Sequence, residues 1–91
     1  MTTIRPNTDV ADDTAHMRRC LALAAEAAAL GEVPVGALLV HDGVVVGEGC
    51  NRREIDGDPL AHAELRAIAQ AATRLSRWRL SGCTLYVTLE P

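Results

Sequence analysis

The sequence contains no phenylalanine, one tryptophan and one tyrosine, so aromatic residues make up only 2% of its 91 positions. A hydrophobic core without large rings must be built from alanine, valine and leucine, and such a core is thin. A chain of this length also buries a smaller share of its surface than a longer domain does. We therefore expect at most one small domain, which would gain stability from more chain or from a partner.

Cysteines are also few, and Cys20, Cys50 and Cys83 are widely spaced with no C-x-x-C among them. This pattern argues against disulfide stapling and favours a reducing compartment. The polar, acidic start lacks the apolar segment of a secretion signal, and no run approaches the roughly 18 apolar residues of a membrane span. We expect a cytoplasmic protein with no membrane partner, in which all three cysteines are buried and structural.

Lysine is absent as well, so all nine basic residues are arginines, and the net charge is −3. An acidic balance gives no general attraction to nucleic acid. A local basic surface is still possible at Arg52 and Arg53, or at Arg74, Arg77 and Arg79. Short arginine clusters of this kind are more often ordinary solvated surface, so composition alone assigns no nucleic-acid partner.

The first half of the sequence predicts a helix followed by a β-hairpin. Residues 1–12 are polar and are expected to form a flexible tail. Helical spacing of apolar residues starts near residue 13, and Gly31 with Pro34 ends this helix. An Asp-Gly pair between two β-branched runs is a strong hairpin pattern, and these runs are 35–40 and 44–49.

The second half predicts one more helix and one more strand. A polar loop over 51–59 contains Asp58 and Pro59, a favourable N-cap and first-turn pair for the second helix. Residues 84–89 alternate in polarity as a strand does. The order helix, hairpin, helix, strand indicates an α/β layer arrangement over residues 13–91. The expected buried stripe of the second helix is Leu65, Ile68, Ala69, Ala72 and Leu75.

Three polar residues are chemically informative: Asn51, His62 and Glu64. The helical pattern turns Glu64 toward the sheet, where a carboxylate needs a metal or a hydrogen-bond network. His62 lies two positions earlier, so the two side chains can converge beyond the adjoining strand end. Each residue also fits a structural role: Glu64 as a carboxylate at a helix N-terminus, His62 as a surface or capping residue, and Asn51 as a turn residue. H-x-E alone is therefore a weak indication.

The surrounding segments make the indication specific. They are Pro34-Val35-Gly36-Ala37, Gly47-Glu48-Gly49, Asn51-Arg52, Asp58-Pro59, Ala61-His62-Ala63-Glu64-Leu65 and Leu85-Tyr86-Val87-Thr88-Leu89-Glu90-Pro91. In this order and spacing they closely resemble the bacterial-type tRNA adenosine deaminases, which convert the wobble adenosine of a tRNA anticodon to inosine. The resemblance extends from about Met17 to Pro91. It implies a cytidine-deaminase-like, three-layer α/β/α fold with a mixed sheet, of which residues 13–91 form the N-terminal portion with two helices and three strands.

The resemblance also implies a role for each site residue. His62 corresponds to a zinc-ligand histidine, and Glu64 to the general acid/base that takes a proton from the zinc-bound water and delivers one to ring N1. Asn51 corresponds to the asparagine that hydrogen-bonds the flipped base. The implied cofactor is one zinc ion per subunit, and the implied partners are a tRNA anticodon stem-loop and a second subunit in a homodimer. The expected walls of the base pocket are Val35 and the backbone near Ala63 and Glu90.

The family's second motif, P-C-x-x-C, supplies two further zinc ligands, and the printed sequence reaches its proline at Pro91. Cys83 begins the third strand, about 25 Å from Pro91 at the rise of a strand, and so cannot replace them. Cys50 is expected to face the core, because its neighbour Asn51 would face the base. Catalytic zinc needs three protein ligands, so we expect the 91-residue chain to bind zinc weakly and to deaminate nothing. The third strand is expected to have an unpaired edge.

Two other functions stay open. The same fold could deaminate a free base or nucleotide, such as guanine or cytosine, although Arg52, Arg53 and the T-L-E-P strand favour the tRNA deaminases. A non-catalytic product could instead serve as a binding or dimerisation module. The presence of His62, Glu64 and Asn51 favours an enzyme, because such a module has no chemical need of them.

Overall fold

The computed structural model describes residues 2–4 and 10–88, with side chains described from residue 13 onward. This part of the chain forms four strands and three helices. In chain order they are β1 (Thr2–Ile4), α1 (Val10–Ala29), β2 (Gly36–His41), β3 (Val44–Cys50), α2 (Arg53–Asp56), α3 (Ala63–Leu75) and β4 (Cys83–Val87).

The described strands form one sheet in the order β1-β4-β2-β3, and each pairing between them is antiparallel. The mixed sheet that the resemblance implies is thus not seen among residues 2–4 and 10–88. The expectation of an unpaired edge on the last strand is wrong, since β4 pairs with β2 on one side and with β1 on the other. β1 lies in the segment predicted as a tail, where polar composition gave no strand pattern. The first turn of α1 also lies there, since the helix begins at Val10.

Helices cover both faces of the sheet, which confirms the three-layer α/β/α arrangement. On one face Cys20, Leu23 and Ala27 of α1 pack with residues of β2 and β4 such as Leu38 and Tyr86. On the opposite face α3 packs against alternate residues of the same strands, and this second set includes Ala37, Leu39 and Leu85. The strands are apolar on both sides because both sides are covered.

The predicted hairpin is present, and its turn follows from local chemistry. Asp42 and Gly43 adopt positive φ values of 51° and 77°, the backbone that a two-residue hairpin turn requires. β2 and β3 then pair from His41 opposite Val44 to Gly36 opposite Cys50, with one irregularity between Leu39 and Val40.

The second long helix starts later than the sequence pattern predicts. α3 begins at Ala63 with His62 at the N-cap position, so the predicted start at Asp58 and Pro59 is wrong. The Asp58 carboxylate instead accepts the backbone N–H of Leu60 at 2.9 Å, and its carbonyl accepts the N–H of Ala61 at 3.1 Å. A local turn therefore uses the residue that would have capped the helix.

The buried stripe of α3 also differs from the predicted one. Ala63, Ala67 and Ala71 are fully buried, whereas Leu65 is 41% exposed. Ala69 is exposed too, and Ile68, Ala72 and Leu75 are only partly buried. The predicted stripe followed the larger apolar side chains, but the helix presents its smallest ones to the sheet.

Glycines in the strands explain why alanine faces the sheet. A Cβ placed on Gly47 would overlap the carbonyl oxygen of Ala67, and one on Gly36 would overlap the carbonyl oxygen of Cys20. Helix backbone thus lies directly against strand backbone on both faces of the sheet. A chain with few large side chains fills its core by bringing its elements close together.

The cysteine predictions hold for two of the three residues. Cys20 and Cys50 are buried in the core beneath α1, and burial raises the pKa of the Cys20 thiol to about 11. Cys83 is only half-buried, and its Sγ lies 3.9 Å from Nδ1 of His41. All three are free thiols.

None of the helices in the described part of the chain is long and apolar enough to span a membrane.

The close contact between α3 and β3 can be tested with Gly47→Ala. We expect the free energy of unfolding to fall by about 3 kcal/mol, because the added methyl group must push the helix away from the sheet. Gly57→Ala is the control, since Gly57 has φ +58° but nothing within 4 Å of an added Cβ. That variant should lose about 1 kcal/mol through backbone strain alone. Equal losses in urea unfolding would contradict the close-contact explanation.

Candidate functional site

A cavity of about 530 Å³ opens where the ends of three strands meet the N-terminus of α3. A volume of this size is typical of small-ligand sites. Its wall combines apolar side chains with an amide, an imidazole, a carboxylate, a hydroxyl and a guanidinium. The lining residues are Val33, Val35, Asn51, Arg53, His62, Ala63, Glu64, Val87 and Thr88.

The late start of α3 brings His62 and Glu64 to the same cavity. Two residues inside a helix at positions i and i+2 point about 200° apart. His62 avoids this separation because it precedes the helix, with an extended backbone at φ −77° and ψ 147°. Its side chain makes no capping hydrogen bond, and Glu64 lies in the first helical turn. The imidazole is therefore not used to stabilise the helix end.

Asn51 is the most unusual polar residue of the site. It is 5% exposed, and its Oδ1 has no hydrogen-bond partner among the described residues. Leaving a buried acceptor unpaired costs about 1–3 kcal/mol, and native proteins rarely tolerate it without a functional reason. The amide therefore fits a ligand whose N–H group would complete its hydrogen bonding.

Backbone hydrogen bonds hold Asn51 in place from both sides. Its N–H donates to the carbonyl of Val35 at 3.1 Å, and the N–H of Arg52 donates to the carbonyl of Ala61 at 2.9 Å. The guanidinium of Arg66 on α3 donates to the carbonyl of Cys50 at 2.9 Å. These bonds tie the end of β3 to β2 and to the helix, so the amide position is set by the fold.

A buried carboxylate anchors the segment that follows Asn51. Glu32 is 6% exposed and lies just beyond the C-terminus of α1. Its two oxygens accept the N–H of Glu54 at 3.1 and 3.0 Å, and one of them also accepts the N–H of Ile55 at 3.0 Å. Glu32 thus caps the short helix α2, whose first residue, Arg53, lines the cavity. Capping across the fold fixes a loop that local sequence would leave free.

Five of the six predicted site residues lie around this single cavity, and their individual roles stay predictions. They are Val35, Asn51, His62, Ala63 and Glu64. The sixth, Glu90, lies outside the described residues. Cys50 points away from the cavity into the core beneath α1, as the alternation of strand side chains predicts.

Four lining residues were not predicted. Val87 could have been found, because strand alternation places it on the same face as Leu85. Thr88 joins the site through β2: its Oγ1 accepts the N–H of Gly36 at 2.8 Å. Arg53 was considered only together with Arg52, as a possible basic surface. Val33 lies in a loop whose sequence has no periodic pattern. No local pattern reveals these last two.

The residues at the cavity do not complete a metal site by themselves. Among the described residues no group of three or more His, Cys, Asp or Glu side chains could hold a metal ion. His62 is the imidazole at the cavity, and one ligand does not hold catalytic zinc, which takes three. Cys20 and Cys50 lie beneath the other face of the sheet.

Comparison with known proteins assigns the family. The profile of the cytidine and deoxycytidylate deaminase zinc-binding region matches residues 10–91, which is most of the chain. The chain belongs to this deaminase family. Residues 10–91 correspond to the zinc-binding region of that family.

Individual relatives agree with the family profile. The tRNA-specific adenosine deaminase of Haemophilus influenzae is 50% identical over 80 residues, covering 87% of this chain and 46% of the relative. A structure from a study of A-to-I editing by tRNA:A34 deaminases superposes with a TM-score of 0.83 at 44% identity, covering 88% of this chain and 62% of that one. The guanine deaminase of Bacillus subtilis superposes with a TM-score of 0.80 at 38% identity, covering 86% and 50%. The chain thus spans about half the length of its curated deaminase relative.

The unpaired amide oxygen of Asn51 predicts an unusual stability effect. Asn51→Ala should leave the free energy of unfolding unchanged or raise it by up to about 1 kcal/mol, because the variant removes a buried acceptor that has no partner. Thr88→Val is the matched control: Thr88 is equally buried but hydrogen-bonded to Gly36, so its loss should cost about 1–2 kcal/mol. Urea unfolding measures both. A large loss for Asn51→Ala would mean that the amide is already satisfied.

The capping role of Glu32 is tested by Glu32→Ala. Two backbone N–H groups lose a charged acceptor, so the free energy of unfolding should fall by about 2–3 kcal/mol. Amide hydrogen exchange at Glu54 and Ile55 should become faster. Glu26→Ala, at an exposed position of α1, should change stability by less than about 0.5 kcal/mol. Unchanged exchange at the two amides would show that α2 does not depend on Glu32.

Proposed function

We propose that the protein catalyses hydrolytic deamination of adenosine to inosine at the wobble position of a tRNA anticodon. The observation that carries this proposal is the buried, unpaired Asn51 Oδ1 in the same cavity as His62 and Glu64. An asparagine amide pairs with the N6–H and N7 groups of adenine. The family and the named activities of its relatives support the reaction class.

Glu64 acts as the general acid/base in this proposal. Hydrolysis adds water at C6 of the base and releases ammonia, so a proton must leave the water and others must reach ring N1 and the departing nitrogen. Glu64 lines the cavity from the first turn of α3, within reach of a base held by Asn51. A single carboxylate can make these transfers in turn, a contribution of roughly 10²–10⁴-fold in rate.

Zinc is the cofactor that the family supports, and we propose one ion per subunit. His62 would supply one ligand, and the other ligands would come from outside residues 2–4 and 10–88.

We also propose a homodimer in the cytoplasm. The homodimer rests on the resemblance to the tRNA adenosine deaminases, and three free thiols suit a reducing compartment.

Deamination of a free purine is the second candidate, and one observation favours it. The guanine deaminase of Bacillus subtilis shares the fold at 38% identity. Guanine also carries donors for the Asn51 amide oxygen, at N1 and at its 2-amino group, so this acceptor alone does not distinguish the two purines. The tRNA-specific adenosine deaminases of Haemophilus influenzae and Bacillus subtilis, at 50% and 44% identity, favour adenosine.

The proposed function is tested with the product of the whole reading frame that contains these residues. We expect an anticodon stem-loop with adenosine at the wobble position to be converted to inosine, while guanine, cytosine and free adenosine are converted far more slowly. Glu64→Gln should lower kcat by about 10²-fold or more and leave RNA binding intact. Glu26→Gln, at an exposed site on α1, is the control and should match the wild type. Faster ammonia release from guanine than inosine formation in RNA would overturn the proposal.

A further inference from the structure

Arg53 is the arginine of the cavity wall, and its environment differs from that of its neighbour Arg52. It lines the cavity but takes part in no ion pair among residues 13–88. Its neighbour Arg52 differs in both respects: it is absent from the cavity wall, and its guanidinium donates to the Asp56 carboxylate at 3.1 Å. Two adjacent arginines thus have separate environments, and within residues 13–88 Arg52 is paired whereas Arg53 is not.

The backbone that carries Arg53 is held on both sides. The Glu32 carboxylate caps the start of α2. At the other end, Gly57 adopts a left-handed backbone, and the N–H of Asp58 donates to the carbonyl of Arg53 at 3.1 Å. The side chain is exposed but starts from a fixed point. A guanidinium presented in this way loses less entropy on binding than one on a free loop.

The polar groups of the cavity divide into two kinds. Asn51 is neutral and deeply buried, and it suits the edge of a base. Arg53 is charged and exposed at the same cavity, and its planar fork of donors suits a phosphate. A free nucleobase offers Arg53 only neutral acceptors, whereas a nucleotide within a chain carries an anionic phosphodiester beside its base.

We propose that Arg53 binds a backbone phosphate next to the reacting nucleotide and thereby selects polynucleotide substrates over free bases. This inference rests on the proposed function and names the part of the substrate that the cavity mouth recognises. Arg53 is a specificity residue in this proposal, because it contacts the substrate backbone and not the reacting atoms.

The test compares Arg53→Gln with Arg52→Gln in the product of the whole reading frame, using an anticodon stem-loop RNA with a wobble adenosine. We expect Arg53→Gln to weaken RNA binding roughly tenfold at low salt and to reduce the slope of log Kd against log salt by about one. In deamination assays KM should rise by a similar factor while kcat stays unchanged. Arg52→Gln should leave the salt slope unchanged, because its charge is already paired with Asp56.

Each outcome has a defined meaning. An unchanged salt slope for Arg53→Gln, or equal changes for both variants, would overturn the inference, since a general charge effect would not distinguish the two arginines. A fall in kcat without a change in KM would also overturn it, because a phosphate contact remote from the reacting atoms should not act there. Wild-type protein that binds the stem-loop with an Arg53-dependent slope but forms no inosine would overturn the proposed function and leave the phosphate contact standing.

Discussion

The direct contact of helix backbone with strand backbone is the constraint on which the rest of this structure depends. Gly36 allows α1 to approach one face of the sheet, and Gly47 allows α3 to approach the other. The chain has no phenylalanine to fill a wider gap. Because the elements lie so close together, a core of small side chains can still be densely packed. The same closeness leaves the helices little freedom to shift. The position of the α3 N-terminus relative to the strand ends follows from that restriction.

The site uses this rigidity to hold groups that are unfavourable for folding. Arg66 on α3 donates to the carbonyl of Cys50, and the carbonyl of Val35, just before β2, accepts the N–H of Asn51, so the backbone that carries the amide is fixed. Glu32 is buried for a similar purpose, because its carboxylate orders a short helix that would not form alone. The unpaired amide lowers the stability of the folded state, and the packing of the helices against the sheet offsets this loss. Such unfavourable groups are common in sites that are already formed without their ligand.

Local chemistry explains which elements the sequence predicts correctly. The hairpin depends on Asp42 and Gly43, two neighbours whose preferred backbone makes the turn, and no distant contact is needed. The start of α3 was mispredicted because Asp58 and Pro59 are good helix starters, yet the chain must first return to the strand end, where the N–H of Arg52 meets the carbonyl of Ala61. Tertiary hydrogen bonds decided that boundary. The strand β1 was missed because its pairing with β4, and not its composition, makes it a strand.

The candidate site divides in the same way between local and distant causes. His62, Glu64 and Asn51 could be chosen from the sequence because they lie within segments that resemble the tRNA adenosine deaminases, whereas their residue types alone are a weak indication. Glu32 and Arg53 could not, because an exposed-looking glutamate after a helix and an arginine beside another arginine are common in any soluble protein. Their roles come from contacts across 22 positions of sequence, which bring the end of α1 to the start of α2.

The separation of a buried neutral amide from an exposed cation has a consequence for substrate choice. Binding energy from Asn51 depends on the base alone, and a pocket that reads only a base discriminates poorly between a free purine and one within RNA. Binding energy from Arg53 depends on the negative charge of a phosphate, which lies outside the base. Because the two groups lie two residues apart on one anchored segment, a substrate satisfies both only if its base carries a phosphate close by. Selection of this kind comes from simultaneous engagement of both groups, and under the proposal it would let a fold shared with a guanine deaminase accept a polynucleotide without a different cavity.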